Sequence, residues 1–162
     1  MKQDFRKPFI EALTKLAETD DKIVFITCDV GFSFLDPLKE KIGNRFLNLG
    51  VTESSSMIIA STLALSGFKV YIYSMINFML FRPAEMVRNA VVCHNANVKI
   101  LGVSGSEKYK FLGFSHNLLN DYEDFNFCEN IGLDWHHPMD DVDVKKIVWR
   151  TYQSDKPCYI RL

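Results

Sequence analysis

The sequence contains no apolar run long enough to cross a membrane. A transmembrane helix needs about 18–20 consecutive apolar residues, and polar or charged residues interrupt every apolar stretch of the 162 residues before that length is reached. The first residues, MKQDFRKPF, also lack the apolar core of a secretory signal peptide. These features predict a cytoplasmic protein without a membrane partner.

Cysteine is scarce and shows no pattern. The four cysteines, Cys28, Cys93, Cys128 and Cys158, lie far apart and form no Cys-x-x-Cys pair. This spacing indicates neither a zinc site nor a disulfide framework. The histidines form no metal-binding pattern either, so we expect reduced, mostly buried thiols and no metal ligand in this chain.

Neither sign of charge is in excess. Nineteen lysines and arginines stand against twenty acidic residues, which gives a net charge of −1, and no block of like charge occurs. Nucleic-acid-binding proteins carry clustered basic residues, so we expect no nucleic-acid partner. Aromatic residues are plentiful instead, with 13 Phe and 6 Tyr. Such a number fits a buried partner interface or a stacked ring ligand.

Helix and strand signals alternate along the chain and predict one α/β domain over residues 1–162. Short apolar runs predict strands at residues 23–28, 45–48, 69–73, 98–103 and 157–162. Apolar spacing and end signals predict helices at residues 9–16, 36–42, 53–66, 83–95 and 140–152. This order favours a three-layer α/β/α fold with a mainly parallel central sheet. Ligands of such sheets bind at the carboxyl ends of the strands.

Glu53 lies in the first turn of a helix that is otherwise small and apolar, and Thr52 precedes it as a predicted N-cap. A carboxylate at this place interacts favourably with the helix dipole and stabilises the helix by roughly 0.3–1 kcal/mol, which is an ordinary structural role. A buried carboxylate also needs a partner. The position alone therefore leaves both a structural and a functional role open.

The segment from Gly50 to Val91 resembles the central part of the transketolase pyrimidine-binding domain. A Gly-hydrophobic-x-Glu motif opens a helix of small residues, and a segment with paired phenylalanines and an Arg-Asn helix follow. The resemblance continues through NVKILGVSG, GFSH, the His-Pro-x-Asp element at residues 137–140 and the closing KPCYIRL. Each motif is weak alone, but the ordered series covers nearly the whole chain.

The resemblance implies thiamine diphosphate as the cofactor. In that family a glutamate hydrogen-bonds N1′ of the aminopyrimidine ring and so activates the cofactor, and Glu53 occupies its position. Phe78 and Phe81 resemble the paired aromatic residues beside that ring, which leaves open which of them stacks on it. His116, in GFSH, matches a histidine that lines the substrate channel and contacts sugar hydroxyls.

Three further residues, Arg6, Ser33 and Arg161, match the family's contacts to the substrate phosphate. Arginine suits bidentate phosphate recognition, and together the three indicate a phosphorylated sugar. Taken singly, each is better explained as a surface residue. Two departures point to an unusual sugar or a decarboxylating relative: Leu112 replaces an acidic residue that reads sugar stereochemistry, and Ser104 replaces a second histidine.

The sequence has no counterpart of the Gly-Asp-Gly and Asn pattern that holds Mg²⁺ and the diphosphate in the family's other cofactor half. The resemblance therefore implies that a separate diphosphate-binding subunit supplies Mg²⁺ in an α₂β₂ assembly, without the third domain of full-length members. We expect an enzyme that transfers a two-carbon ketol unit between sugars. A two-subunit 2-oxoacid decarboxylase or acyl-transferring enzyme is the alternative, and a non-catalytic assembly domain is a third.

Overall fold

The computed structural model describes residues 4–103 and 107–162, with the backbone alone for residues 107 and 108. Ser104 lies outside the described residues. The strands are β1 (Ile23–Thr27), β2 (Phe46–Asn48), β3 (Lys69–Met75), β4 (Val98–Val103), β5 (Asp134–His136) and β6 (Cys158–Arg161). The α-helices are α1 (Arg6–Ala17), α2 (Asp36–Ile42), α3 (Glu53–Leu65), α4 (Ala84–Met86), α5 (Glu123–Ile131) and α6 (Asp141–Gln153).

The six strands form one sheet in the order β2-β1-β3-β4-β6-β5, and every pair in it is parallel. All residues of β1, β4 and β6 are buried, as expected for strands covered on both faces. The structure confirms the predicted α/β fold, and the sheet is entirely parallel. Among the described residues, no helix is both long and apolar enough to cross a membrane.

Alternate strand residues point into two separate cores, which makes the three layers. On one face, Phe25 and Tyr71 pack with side chains of α1, α2 and α6. On the other face, Ile26 and Ile72 pack with α3, α5 and the segment between β3 and β4. The strand period of two residues is the reason that neighbouring side chains belong to different cores.

Helix α3 packs closely because its buried face is small. Ser56, Ala60, Ser61 and Ala64 are buried, and the hydroxyl of Ser61 donates to the carbonyl of Ala90 at 2.6 Å. Thr52 is the N-cap residue as predicted, but its side chain makes no capping hydrogen bond. Its hydroxyl donates backwards to the carbonyl of Leu49 at 2.8 Å instead. The loop before α3 is thereby fixed, and with it the first turn that carries Glu53.

The helix predicted from Pro83 to residue 95 starts within one residue of α4, but it is not a regular α-helix, and helical residues also precede Pro83. The helical segment begins earlier, with a π-helix at Asn77–Phe81, continues as α4, and ends with a second π-helix at Val87–Val92. Pro83 separates the first two parts with φ −92° and ψ 27°. Because proline has no N–H to donate and its ring crowds the preceding turn, a regular α-helix cannot pass through it.

Helix α5 and strand β5 are absent from the sequence prediction. Strand β5 is only three residues long and pairs with β6 at the edge of the sheet. Its local sequence is too short to show a strand period, so the pairing depends on the neighbouring strand.

Candidate functional site

The segments that follow β2, β3 and β4 meet at the carboxyl edge of the sheet, where ligands of parallel α/β proteins bind. They carry Glu53 at the start of α3, Phe78 in the first π-helix and His116 in a 3₁₀ turn at Phe114–His116. Direct contacts join these three side chains: Arg82 links Glu53 to Phe78, and Phe78 contacts His116.

Glu53 is a buried carboxylate with one charged partner. It is 2% exposed, and Nη1 of Arg82 donates to its Oε2 at 2.6 Å. The side chain of Arg82 is 43% exposed, so one end of the ion pair is in the protein and the other is in solvent. Since an unpaired buried carboxylate is costly, Arg82 stabilises Glu53 in this arrangement.

Phe78 lies between Arg82 and His116. The guanidinium carbon of Arg82 lies 4.2 Å from the centroid of the Phe78 ring, which is a cation–π contact. The imidazole of His116 meets Phe78 edge to face, with a centroid distance of 4.9 Å. The contacts therefore run from Glu53 through Arg82 and Phe78 to His116.

Two asparagines hold the turn that carries His116. The side-chain amide of Asn77, at the start of the π-helix, donates to the carbonyl of Asn117 at 3.3 Å. The amide of Asn117 donates in turn to the carbonyls of Tyr109 and Gly113, at 3.1 and 2.6 Å. Nδ1 of His116 lies 2.9 Å from the hydroxyl of Ser115. These bonds fix the turn relative to Phe78.

Phe81 faces away from this group. Its ring meets Phe127 of α5 edge to face, with centroids 5.7 Å apart, and it packs against the core on the α3 side. The wider π-helical winding places residues three apart farther from each other around the axis than an α-helix does, and so sets Phe78 and Phe81 on different sides of the segment. Of the two aromatic residues, Phe78 is the one next to the partner of Glu53.

Cys28 is a buried thiol close to the same carboxylate. Burial raises the pKa of Cys28 to about 11, against a smaller lowering from its hydrogen bond with Ser56. The thiol is therefore protonated and unreactive at neutral pH. Cys28 therefore packs next to Glu53 and does not act as a nucleophile.

Two of the three predicted phosphate contacts, Arg6 and Arg161, have other partners in this structure. Arg6 donates to Asp4 through Nε at 2.8 Å and lies over the ring of Phe34 at 5.6 Å. Ser33, in the loop after β1, has a left-handed backbone with φ 69°, which is uncommon for a residue other than glycine. Arg161 is 6% exposed, and its guanidinium donates to both carboxylate oxygens of Asp124. None of the three contacts the group around Glu53 in the part of the chain that is described.

The family model of the transketolase pyrimidine-binding domain matches residues 1–162. The chain belongs to the transketolase pyrimidine-binding domain family. Membership implies binding of thiamine diphosphate, whose aminopyrimidine half gives the domain its name. The resemblance in the sequence is thereby confirmed.

Two relatives with recorded functions are transketolase subunits. One, from Phocaeicola vulgatus, belongs to an apulose-4-phosphate transketolase and is 32% identical over 97% of this chain and 50% of its own length. The other, SqwH of the 6-deoxy-6-sulfo-D-fructose transketolase of a Clostridium species, is 26% identical over 97% of this chain and 48% of its own length. The chain thus spans about half the length of the curated relatives it matches.

Solved structures agree with the fold. A split-gene transketolase, described as an inactive β4 tetramer, superimposes with a TM-score of 0.83 at 27% identity, over 97% of this chain and 50% of that one. The transketolase of Campylobacter jejuni superimposes with a TM-score of 0.77 at 15% identity, over 99% of this chain and 27% of that one. The second likeness shows the shared fold alone.

The residues at the carboxyl edge of the sheet fit an aminopyrimidine ring. Glu53 offers a buried carboxylate for a ring nitrogen, and Phe78 offers an aromatic face. Both groups already contact a planar, nitrogen-bearing cation, the guanidinium of Arg82. Among the described residues, no three histidine, cysteine or acidic side chains gather as a metal site would require.

Arg82 and Asp124 are the site residues that sequence reasoning missed. Arg82 is the only charged residue in the run INFMLFRP, and a lone charge beside an apolar segment was the signal that could have found it. Asp124 gave no such signal, because the helix that carries it was not predicted.

Proposed function

We propose that this chain is the pyrimidine-binding part of a two-subunit, transketolase-like enzyme that transfers a two-carbon ketol unit between sugars. The buried carboxylate of Glu53, linked through Arg82 to Phe78 and His116 at the carboxyl edge of the sheet, carries this proposal. The relatives that are themselves transketolase subunits support the reaction class.

Each residue of the group has a proposed task. Glu53 is the proposed hydrogen-bond partner of N1′ of the aminopyrimidine, with which it would share a proton. Phe78 stacks on the ring and orients it. Thiamine diphosphate, when bound, supplies the carbon nucleophile that adds to the donor's carbonyl group. Phe81 packs against Phe127 and so supports, from the core side, the segment that carries Phe78.

His116 is the proposed contact to the sugar hydroxyls near the reacting carbon. The amides of Asn77 and Asn117 hold the turn that carries it against Phe78, and an imidazole in its neutral form both donates and accepts hydrogen bonds. Arg6, Ser33 and Arg161 are proposed to lie toward the distal end of the substrate. Both arginines are ion-paired, but the Arg161–Asp124 pair is buried whereas the Arg6–Asp4 pair is partly exposed, so Arg6 is the better candidate for a phosphate contact of the two.

A diphosphate-binding partner subunit, which also holds Mg²⁺, is part of the proposal, as is an α₂β₂ assembly. The relatives that are transketolase subunits and the split-gene transketolase of known structure support it. Calorimetric titration of thiamine diphosphate with Mg²⁺ tests this, with the chain alone and with a diphosphate-binding subunit. We expect tight binding in the mixture only. Tight binding by the chain alone contradicts the need for a partner.

Replacement of Glu53 tests the catalytic part. In the assembled enzyme we expect Glu53→Gln to lower kcat by about 10²–10⁴-fold, the usual range for loss of a general acid–base group. Unchanged turnover would favour the third alternative, a non-catalytic assembly domain. Product analysis distinguishes the decarboxylase alternative. A transketolase forms a new sugar from a ketose phosphate, whereas a decarboxylase releases CO₂ from a 2-oxoacid.

A further inference from the structure

Arg82 makes, at once, the two contacts that the proposed function assigns to the aminopyrimidine ring. Its guanidinium donates to Oε2 of Glu53 at 2.6 Å and lies 4.2 Å from the centroid of Phe78. Guanidinium and aminopyrimidine are both flat, both carry N–H donors, and both stack on aromatic rings. Arg82 therefore already uses one carboxylate oxygen and one ring face.

We propose that Arg82 occupies the aminopyrimidine position in the free chain and has to leave it when thiamine diphosphate binds. The inference rests on the proposed function, since it needs Glu53 and Phe78 to be the ring's partners. It adds a role for a residue that the motif series does not single out.

The energetics allow Arg82 to leave the site when a ligand binds. Without a partner, the carboxylate of Glu53 is buried and uncompensated, so Arg82 stabilises the free chain. The side chain of Arg82 is 43% exposed, and its head regains water when it leaves. Because one end of this ion pair lies partly in solvent, the pair is weaker than a fully buried one. Arg82 thus protects Glu53 at a small cost to cofactor affinity.

Competition predicts that removal of Arg82 strengthens binding. The apparent dissociation constant equals the intrinsic one divided by the fraction of molecules whose site is free. A variant in which the site is always free therefore binds more tightly by the inverse of that fraction. We expect Arg82→Met, which keeps the apolar stem and loses both contacts of the head, to bind the ring about fivefold more tightly or better. If Arg82 instead helps to hold the ring, the same variant binds more weakly.

The test uses the full chain and 4-amino-5-hydroxymethyl-2-methylpyrimidine, the pyrimidine half of the cofactor, so that no diphosphate site is needed. Dissociation constants come from ligand-observed NMR for the wild type, Arg82→Met and the control Arg88→Met. Arg88 is an exposed arginine of the same segment, and among the described contacts its side chain bonds only to its neighbour Asn89. Tighter binding by Arg82→Met alone supports the proposal. Equal or weaker binding by that variant overturns it.

A second measurement works without any substitution at Arg82. In the wild type, the guanidinium resonances of Arg82, assigned by comparison with Arg82→Met, should shift toward those of a free arginine as the pyrimidine is added. Glu53→Gln should produce that free signal without ligand. Binding that leaves the Arg82 resonances unmoved overturns the proposal.

The two failures are distinguishable. If the pyrimidine binds the wild type and Arg82→Met equally, the competition is wrong and the proposed site stands. If it binds none of the variants, and thiamine diphosphate with Mg²⁺ also fails with the partner subunit present, the proposed cofactor site is wrong and the inference falls with it.

Discussion

Asp124 and Arg161 form a buried ion pair that joins helix α5 to the last strand, β6. Nε of Arg161 donates to Oδ2 of Asp124 at 2.8 Å, and Nη2 donates to the other carboxylate oxygen and to the carbonyl of Asp121 at 2.7 Å. Asp124 is fully buried and Arg161 nearly so. Burial alone raises the pKa of Asp124, but the hydrogen bonds and charge of Arg161 outweigh it and hold that pKa below its ordinary value.

Asp124→Asn should lower the free energy of unfolding by roughly 3–5 kcal/mol, because it leaves the guanidinium buried without a counter-charge. Urea unfolding at neutral pH measures this, with the exposed Glu129→Gln on the same helix as a control within about 0.5 kcal/mol of the wild type. A loss no larger than that of the control contradicts a structural role for the pair.

The same pair predicts a pH dependence. Because the folded pKa of Asp124 is lowered, its contribution to stability is complete above the ordinary aspartate pKa of about 3.9 and is lost as the pH falls below it. The stability difference between the wild type and Asp124→Asn should therefore shrink between about pH 4 and pH 2. A difference that stays constant over this range would exclude an ionic contribution.

Phe78 and Phe81 should respond differently to truncation, although they are three residues apart. Phe78→Ala removes the ring beside Arg82, so we expect a loss of about 2–10-fold in thiamine diphosphate affinity in the assembled enzyme. Phe81→Ala removes the contact with Phe127 and should instead cost up to about 3 kcal/mol of stability. Calorimetry and urea unfolding of both variants separate the two effects. The reverse pattern would assign the stacking ring to Phe81.

His116→Asn should lower kcat/KM for the sugar and leave thiamine diphosphate affinity unchanged. The reason is that His116 contacts the edge of Phe78 and no described contact joins it to Glu53. Steady-state kinetics with varied sugar and calorimetry with the cofactor measure the two quantities. His94→Asn is the matched control, since His94 is exposed and bonds to the carbonyl of Asn89. Loss of cofactor affinity in His116→Asn would place His116 at the ring.

One thiol of the native chain should react with Ellman's reagent, and four should react after unfolding. Cys93 is exposed, while Cys28, Cys128 and Cys158 are buried. Burial raises the pKa of Cys158 to about 12 and that of Cys28 to about 11, so neither forms the reactive thiolate at pH 8. Cys93→Ser should remove the native reaction. Rapid reaction of a second thiol would show that the region around one buried cysteine opens in solution.

The sequence determined the layer architecture and the position of Glu53 by itself. The runs at β1 and β4 are mostly apolar, apart from Thr27 and Lys99, because both faces of a parallel strand are covered, so the local sequence shows where they lie and that they are strands. Thr52 and the small residues of α3 likewise mark the start of a close-packed helix. These signals depend on residues that are neighbours in the chain, which is why a linear pattern contains them.

Only the tertiary structure decided which side chains meet at the carboxyl edge. The pairing of Arg82 with Glu53 joins residues 29 positions apart, and that of Arg161 with Asp124 joins residues 37 positions apart. The π-helical winding around Pro83 decided that Phe78 turns toward Arg82 and Phe81 toward the core. Such contacts depend on strand order, helix winding and the compensation of buried charge, and none of these is a property of a local stretch of sequence.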